Sequence, residues 1–174
     1  SAAKQQFMLL SGDCVVGHIF HGYSAPITEQ SPRRAYRGVY ALTKVLEEAM
    51  VEQFGIQEGL NWTTLRAPWI MEKDDFRYAL EVGPDQFGGP PWSAMMGADD
   101  LDEIRKSRAI PAMRDGRGAY LKRSFLHVDD LVNAMIAALD NPAAYGELFN
   151  VAMDQPVDYG ALAGILEASG DRQR

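Results

Sequence analysis

The sequence predicts an α/β fold with a small parallel sheet, and three observations indicate it. Short apolar or β-prone runs, which suit strands, alternate along the chain with segments of helical periodicity. The longest helical segment lies between two such runs, as the crossover of a parallel strand–helix–strand unit requires. The 174 residues are 47% apolar, which is enough for one globular core. We therefore predict a single α/β domain over residues 1–174.

The first predicted unit is a strand followed by a long helix. Residues 7–10 form a continuous apolar run, which is typical of a strand buried on both faces. A helix is predicted over residues 39–54, with Gly55 at its C-terminal cap. The apolar face of this helix is expected to contain six residues at helical spacing, namely Leu42, Val45, Leu46, Ala49, Met50 and Val51.

The remaining elements follow from the same kinds of signal. A strand is predicted at residues 62–65, because tryptophan and threonine are common in strands. Residues 81–92 are rich in glycine and proline and predict a long loop. Asp130 and Asp158 are each expected to cap the helix that starts after them. The other predicted elements are a charged helix at 99–108, a strand at 125–128, a helix at 131–139, a strand at 148–151 and a last helix that ends at 166.

Composition argues against several classes of function. The net charge is −7 and the basic residues are scattered, so we expect no nucleic-acid partner. Cys14 is the only cysteine, which excludes a disulfide within the chain, and His18 and His21 have no third ligand nearby, so we predict no metal site. No apolar run approaches the ~20 residues of a membrane span, and no signal pattern is present. We expect a soluble, cytoplasmic protein without membrane contact.

The residues with the clearest chemistry are Tyr40 and Lys44, near the start of the predicted helix. They are four positions apart, so they lie on one helical face, one turn from each other. A lysine ammonium beside a phenol favours the ionised phenol, which would let Tyr40 give or take a proton near neutral pH. The alternative is a surface pair in which the aliphatic part of the lysine lies on the ring. The segments around the pair favour the catalytic interpretation.

Six segments, in order, carry a resemblance to a known family. They are S-G-D-C-V-V-G at 11–17, P-I-T-E at 26–29, Y-A-L-T-K at 40–44, L-R-A-P-W at 65–69, R-S-F-L-H-V-D-D at 123–130 and F-N-V at 149–151. Together they resemble the extended short-chain dehydrogenase/reductases, and the nearest group is the NAD-dependent epimerase/dehydratase family. The resemblance covers about residues 5–168 and corresponds to the C-terminal half of such an enzyme. It implies a partial Rossmann-type parallel sheet with flanking helices, without the N-terminal nucleotide-binding strands.

The resemblance implies roles for the residues of the proposed pair and its surroundings. Tyr40 would be the catalytic acid/base, and Lys44 would lower the pKa of Tyr40 and bind the nicotinamide ribose. Ala67 and Pro68 would line the nicotinamide pocket of NAD or NADP through backbone groups. Because they are four residues apart and a glycine-bearing turn follows the strand at 7–10, Tyr40 and Lys44 are expected to point toward the carboxyl end of that strand.

The resemblance also implies substrate contacts and shows two departures from the family pattern. Arg123 would contact a substrate phosphate, and a salt bridge that steadies a turn is the alternative. Trp69 would face the substrate, but it stands where nucleotide-sugar enzymes often have asparagine, which argues against their standard pocket. The family's catalytic hydroxyl falls on Gly12, which leaves Ser11 as the candidate replacement. Adjacent strand residues face opposite sides, so Ser11 can substitute only where the strand end is irregular.

The glycine-rich turn that binds the cofactor pyrophosphate in this family does not occur in the sequence. The chain by itself, as a fragment or a naturally truncated form, is expected to bind dinucleotide poorly and to be inactive. Two functions stay open. One is the catalytic half of an NAD(P)-dependent epimerase, dehydratase or ketoreductase acting on a small-molecule substrate such as a nucleotide-sugar. The other is a non-catalytic, self-associating remnant of such an enzyme. We expect a homodimer or higher oligomer joined through the strand at 7–10, the helix at 39–54 or both.

Overall fold

The computed structural model describes residues 5–18, 20–72, 82, 92–107 and 112–168. The chain divides into two compact units, Ser1–Ile70 with Ser124–Asp154 and Met71–Arg123 with Gln155–Arg174. Whether both belong to one domain stays a prediction. Most of the loop predicted at 81–92 lies outside the described residues, and so does position 108 of the predicted charged helix.

Strands and helices alternate along the chain, singly or in pairs of the same kind, as the sequence broadly predicts. In chain order they are β1 (Gln6–Gly12), α1 (Val39–Glu58), β2 (Asn61–Ala67), β3 (Trp69–Met71), α2 (Trp92–Met95), α3 (Ala98–Ser107), β4 (Lys122–Arg123), β5 (Phe125–His127), α4 (Val128–Ala138), β6 (Glu147–Asn150), β7 (Val157–Asp158) and α5 (Tyr159–Ala168), with 3₁₀ turns over Asp13–Val16 and Pro142–Ala144.

A parallel sheet of three strands, in the order β1-β2-β6, forms the centre of the first unit. Ser11 lies opposite Arg66 and Gly12 opposite Ala67, so the carboxyl ends of β1 and β2 are level. At the other end of the sheet, the buried Thr63 hydroxyl accepts from the Gln6 amide over 2.9 Å and donates to the Ala144 carbonyl over 2.6 Å. The predicted strand–helix–strand unit with parallel pairing is confirmed.

Strand β1 is less buried than its apolar sequence predicts. It lies at an edge of the three-stranded sheet, and Phe7 and Leu10 are 46% and 38% exposed. Only Leu9 and Ser11 of this strand are buried. The prediction of a strand covered on both faces is therefore wrong for the described part of the chain, because an edge strand with open faces leaves apolar side chains uncovered.

Helix α1 is one turn longer than predicted. It ends at Glu58, and Gly59 caps it in the left-handed conformation, with φ 66° and its N–H bonded to the Gly55 carbonyl. Gly55 is therefore not the cap but an interior residue. A Cβ at Gly55 would lie 2.4 Å from Nε1 of Trp62, so glycine is needed there for close packing of the helix on β2.

The predicted apolar face of α1 is only partly correct. Val51 is buried, but Leu42, Leu46 and Met50 are 52%, 52% and 58% exposed. The other buried residues of α1 are Ala41 and Glu48. The face on the sheet is thus rotated away from the most apolar stripe, which lies open among the described residues.

Two apolar clusters stabilise the first unit. Leu65 of β2 packs with Leu126 and Leu131, and Cys14 packs with Val15 and Ala41 beneath the start of α1. Helix α4 begins at Val128.

The N-cap of α4 differs from the prediction. His127 caps the helix by accepting the N–H of Asp129 on Nδ1 over 3.2 Å. Asp130 is therefore not the N-cap, although it lies in the first turn, where a carboxylate is favourable.

The second unit contains α3, a short antiparallel pair of β4 with β7, and α5. Asp158 accepts the N–H groups of Gly160 and Ala161 over 2.9 and 3.2 Å, which confirms its predicted capping of α5. In the part of the chain that the structure describes, no helix is long and apolar enough to cross a membrane.

Candidate active site

Lys44 points toward the sheet from the second turn of α1. Its Nζ donates to the carbonyl oxygen of Leu10 over 3.0 Å and to Oε2 of Glu47 over 2.8 Å. Because Leu10 lies near the carboxyl end of β1, the ammonium is at the end of the sheet where parallel α/β folds bind ligands. The predicted direction of Lys44 is confirmed.

Tyr40 lies one turn before Lys44, and 54% of it is exposed. The pKa of its phenol is raised above the ordinary value, first because the ring is partly desolvated and then because Cys14 and Asp13 disfavour a negative charge. Lys44 acts in the opposite direction and lowers the pKa. The predicted influence of Lys44 is thus present, but the predicted net lowering of the Tyr40 pKa is wrong for this structure, because burial outweighs the ammonium.

Cys14 is packed next to this pair. It is 4% exposed, and burial, together with the charge of Asp13, raises the pKa of its thiol to about 11. The thiol is therefore neutral at physiological pH, and the residue behaves as a small apolar side chain.

Ser11 belongs to a buried polar network and not to the surface around Tyr40. Strand β1 is regular through Gly12, and the Ser11 hydroxyl donates to Oε1 of Glu48 over 2.6 Å. The irregular strand end that its predicted catalytic role requires is not found. The Ser11 hydroxyl therefore has a structural role in this network.

Glu48 is the centre of this network. It is 1% exposed and accepts Nε and Nη2 of Arg66 over 3.1 and 2.8 Å, while Arg66 is itself 3% exposed. Nε of Arg33 adds a bond of 2.9 Å. Burial alone would raise the pKa of Glu48, but the hydrogen bonds from Arg66, Ser11 and Arg33 hold it below the ordinary value. The carboxylate is therefore ionised and fully paired.

This network was not predicted from the sequence, although a signal was present. Glu48 follows Lys44 by four residues and Ala41 by seven, so it had to share the sheet-facing side of α1. An acid at that position predicts a buried basic partner, because an unpaired buried carboxylate is costly. Arg66 is the only basic residue within β2, the strand that borders β1.

Ala67 is the last residue of β2, and Pro68 and Trp69 follow it. Ala67 is 6% exposed and its carbonyl would lie 3.5 Å from a Cβ at Gly12, so the two strand ends are in close contact. The Trp69 ring stacks with that of Phe125, with centroids 6.1 Å apart and planes at 21°. The indole is thus held by an aromatic partner, and the predicted roles of all three residues in binding stay predictions.

Arg123 lies in the second unit, on β4. It interacts with the buried Tyr159, whose pKa is raised by burial and lowered in part by the charge of Arg123 and its hydrogen bond. Its predicted role in phosphate binding stays a prediction.

The site can be tested for the groups it could hold. Of the three N–H donors of Lys44, the described contacts use two, which leaves one for a sugar hydroxyl. This fits the ribose of a dinucleotide. Among the described residues, no group of three or more His, Cys, Asp or Glu could hold a metal ion.

No protein-family model matches the sequence, and the curated proteins give no significant match. Solved structures do match. A short-chain dehydrogenase/reductase superfamily protein from Agrobacterium tumefaciens with bound NAD has a TM-score of 0.75 and 22% identity, over 94% of this chain and 52% of that one. The UDP-glucose 4-epimerase of Thermotoga maritima with UDP-glucose has a TM-score of 0.61 and 21% identity, over 99% and 49% of the chains.

A third structure, the dTDP-glucose 4,6-dehydratase of Streptomyces venezuelae with NAD bound, has a TM-score of 0.57 and 20% identity, over 95% and 44% of the chains. The chain thus has the α/β fold of short-chain dehydrogenase/reductases and spans about half the length of these structures. The predicted fold class and the resemblance in fold are confirmed.

Proposed function

We propose that the chain is the catalytic and substrate-binding half of an NAD(P)-dependent epimerase, dehydratase or ketoreductase. The observation that carries this proposal is the placement of Lys44, with its ammonium 3.0 Å from the Leu10 carbonyl and Tyr40 one turn away on the same helix. The shared fold supports it, since the structures that match include proteins solved with NAD.

In this proposal, Tyr40 moves the proton. Its raised pKa keeps the phenol protonated near neutral pH, so its first role is to donate a proton to a carbonyl oxygen that is being reduced. Lys44 stabilises the phenolate that remains and binds a ribose hydroxyl with its third N–H. A bound nicotinamide would supply or accept the hydride.

The other candidate residues have binding roles, which the family resemblance implies for each of them separately. The backbone of Ala67 and Pro68 lines the nicotinamide side of the site, and Trp69 packs against the substrate. Arg123 binds an anionic group of the substrate, for which a nucleotide-sugar or a related hydroxyl or carbonyl compound is our candidate. We also place the protein in the cytoplasm.

The test uses the native polypeptide that carries this chain, purified at its natural length and identified by its intact mass. Turnover of a panel of nucleotide-sugars and their keto derivatives is followed by chromatography of the products, and the nicotinamide absorbance reports NADH or NADPH consumption where a carbonyl is reduced. Tyr40→Phe should lower kcat by about 10²–10⁴-fold, the range for a lost acid/base. Tyr36→Phe, a nearby tyrosine outside the pair, serves as the control. Full activity in Tyr40→Phe would contradict the proposal.

The second candidate function is a non-catalytic, self-associating protein that keeps Tyr40 and Lys44 without using them. The exposed apolar surface favours it: Leu42, Leu46 and Met50 form an open stripe on α1, and edge strand β1 exposes Phe7 and Leu10. Such surfaces mark sites of association. We therefore propose a homodimer or higher oligomer, which is compatible with either function.

A further inference from the structure

Two successive turns of α1 are attached to two successive residues of β1. Lys44 donates to the carbonyl of Leu10, and Glu48, four residues later, accepts the hydroxyl of Ser11. Tyr40, Lys44 and Glu48 share one face of the helix because each follows the last by four residues. The helix therefore holds the three residues at fixed positions relative to one another.

Glu48 also attaches the helix to the neighbouring strand and to the segment before it. Arg66, which pairs in register with Ser11, grips both carboxylate oxygens of Glu48. Arg33 reaches the same carboxylate and also pairs with Glu52. One carboxylate thus joins α1, β1, β2 and the preceding loop.

Burial makes this attachment selective for one arrangement. Glu48 and Arg66 are 1% and 3% exposed, so a helix displaced by one residue or rotated on its axis would leave both charges in the core without partners. The cost of an unpaired buried charge disfavours every such arrangement.

We propose that Glu48 is the positioning residue of the site: through Ser11 and Arg66 it fixes the rotation and height of α1 and so holds Tyr40 and Lys44 at the end of β1. The inference rests on the proposed function for its significance, but its test needs neither cofactor nor substrate. If the proposed activity is not found, the outcome of that test is unaffected, so the positioning role and the activity can be judged separately.

The competing explanation is that Glu48 only neutralises Arg66. The double variant Glu48→Met/Arg66→Met distinguishes the two, because it removes both charges together and keeps apolar volume, whereas Glu48→Gln leaves a buried guanidinium without its counter-ion. Charge neutralisation alone predicts that the double variant keeps the geometry of the parent. Positioning predicts that the geometry is lost in the double variant, since methionine accepts none of the hydrogen bonds that the carboxylate accepts.

Two readouts report the geometry. One is the pKa of Tyr40, from ¹³C NMR of labelled tyrosines assigned with Tyr40→Phe. The other is the rate at which a thiol reagent labels Cys14, which is packed against Ala41 beneath α1. Both are measured on the full 174-residue chain in native buffer, with global stability measured separately by urea unfolding. Glu58→Gln, at the last residue of α1, is the control for loss of one acid from the same helix.

The expected result for the folded double variant is a Tyr40 pKa that moves toward the ordinary tyrosine value and Cys14 labelling at least about tenfold faster than global unfolding explains. A parent-like pKa and parent-like labelling in that variant would overturn the proposal. Where neither charge variant folds, Ser11→Ala removes one bond and keeps all charges. It should accelerate Cys14 labelling, and parent-like labelling there would equally overturn the proposal.

Discussion

The ammonium of Lys44 is hydrogen-bonded to the carbonyl oxygen of Leu10 over 3.0 Å, so its charge is held against the sheet. A surface pair, the alternative that the sequence left open, would place this ammonium in solvent. The bond places it instead at the carboxyl end of β1, from where it lowers the pKa of Tyr40 against the stronger effect of burial.

Replacing Lys44 by methionine should raise the pKa of Tyr40 further, because the ammonium that lowers this pKa is removed while burial, Cys14 and Asp13 remain. Tyrosine ¹³C NMR titration measures this change. Lys122→Met, which removes a lysine paired with Asp158, should leave the Tyr40 pKa unchanged. A fall in the Tyr40 pKa in Lys44→Met would show that the ammonium has a different role.

The buried Glu48 should make stability depend on pH. The pKa of Glu48 is below its ordinary value of 4.5 in the folded protein. As the pH falls, the unfolded chain therefore protonates this carboxylate before the folded protein does. The stabilisation by the ionised Glu48 is therefore fully present above pH 4.5, and it is lost as the pH falls through the pKa of Glu48 in the folded state. The free energy of unfolding, measured with urea at about pH 6 and about pH 3, should therefore fall more in the parent than in Glu48→Gln.

At neutral pH, Glu48→Gln should lower the free energy of unfolding by about 3–5 kcal/mol, because Arg66 is left buried without its counter-ion. Glu58→Gln is the matched control and should change the free energy of unfolding by no more than about 0.5 kcal/mol. If the free energy of unfolding changed equally with pH in the parent and in Glu48→Gln, this pH dependence could not be assigned to Glu48.

Two helical glycines should respond oppositely to alanine. Gly55→Ala should destabilise by about 1–3 kcal/mol, because the new Cβ would lie 2.4 Å from Nε1 of Trp62. A Cβ added at Gly164 in α5 has no atom within 4 Å, so Gly164→Ala should stabilise the protein by about 0.5–1 kcal/mol through helix propensity. Thermal or urea unfolding measures both. A neutral Gly55→Ala would show that Trp62 can move aside.

The 174-residue chain should bind NADH and NADPH weakly or not at all. The reason is the glycine-rich turn, which supplies the backbone N–H groups for pyrophosphate and does not occur in this sequence. Calorimetric titration of the purified chain is the measurement. Micromolar affinity would mean that the pyrophosphate is held elsewhere, and Lys44→Met would then show whether the ribose contact contributes.

Self-association should depend on the apolar stripe of α1. Leu46→Glu places a charge at its centre and should convert an oligomer into a monomer near 19.3 kDa in light scattering at tens of micromolar. Ile136→Glu, on the exposed surface of α4, is the control and should leave the mass unchanged. A monomeric parent would refute the oligomer.

Residues with a local signal were predicted well. Lys44 was placed correctly because helical spacing and the carboxyl end of a parallel strand together specify its direction. Asp158 was recognised as a cap because its bonds reach only two and three residues ahead. For Asp130 the same reasoning failed, since His127 occupies the capping position one turn earlier and its imidazole can accept the bond.

Residues whose environment depends on distant parts of the chain were predicted less well. Leu46 and Met50 are apolar, yet they are exposed because the sheet covers a neighbouring stripe of α1. Glu48 is charged, yet it is buried because Arg66 arrives from a strand that follows the helix. The pKa of Tyr40 likewise depends on how deeply the ring is packed, which the spacing to Lys44 does not specify.

The bonds of Thr63 connect parts of the first unit that are far apart in the chain. Its hydroxyl joins Gln6, 57 residues away, to Ala144, 81 residues away. Contacts over such separations form late, because the entropy of loop closure is lost before any bond compensates for it. In a chain that grows from its N-terminus, β1, α1 and β2 are complete well before the segment of Ala144 exists. We expect the docking of β6 to set the folding rate and Thr63→Val to slow it, while α1 forms early.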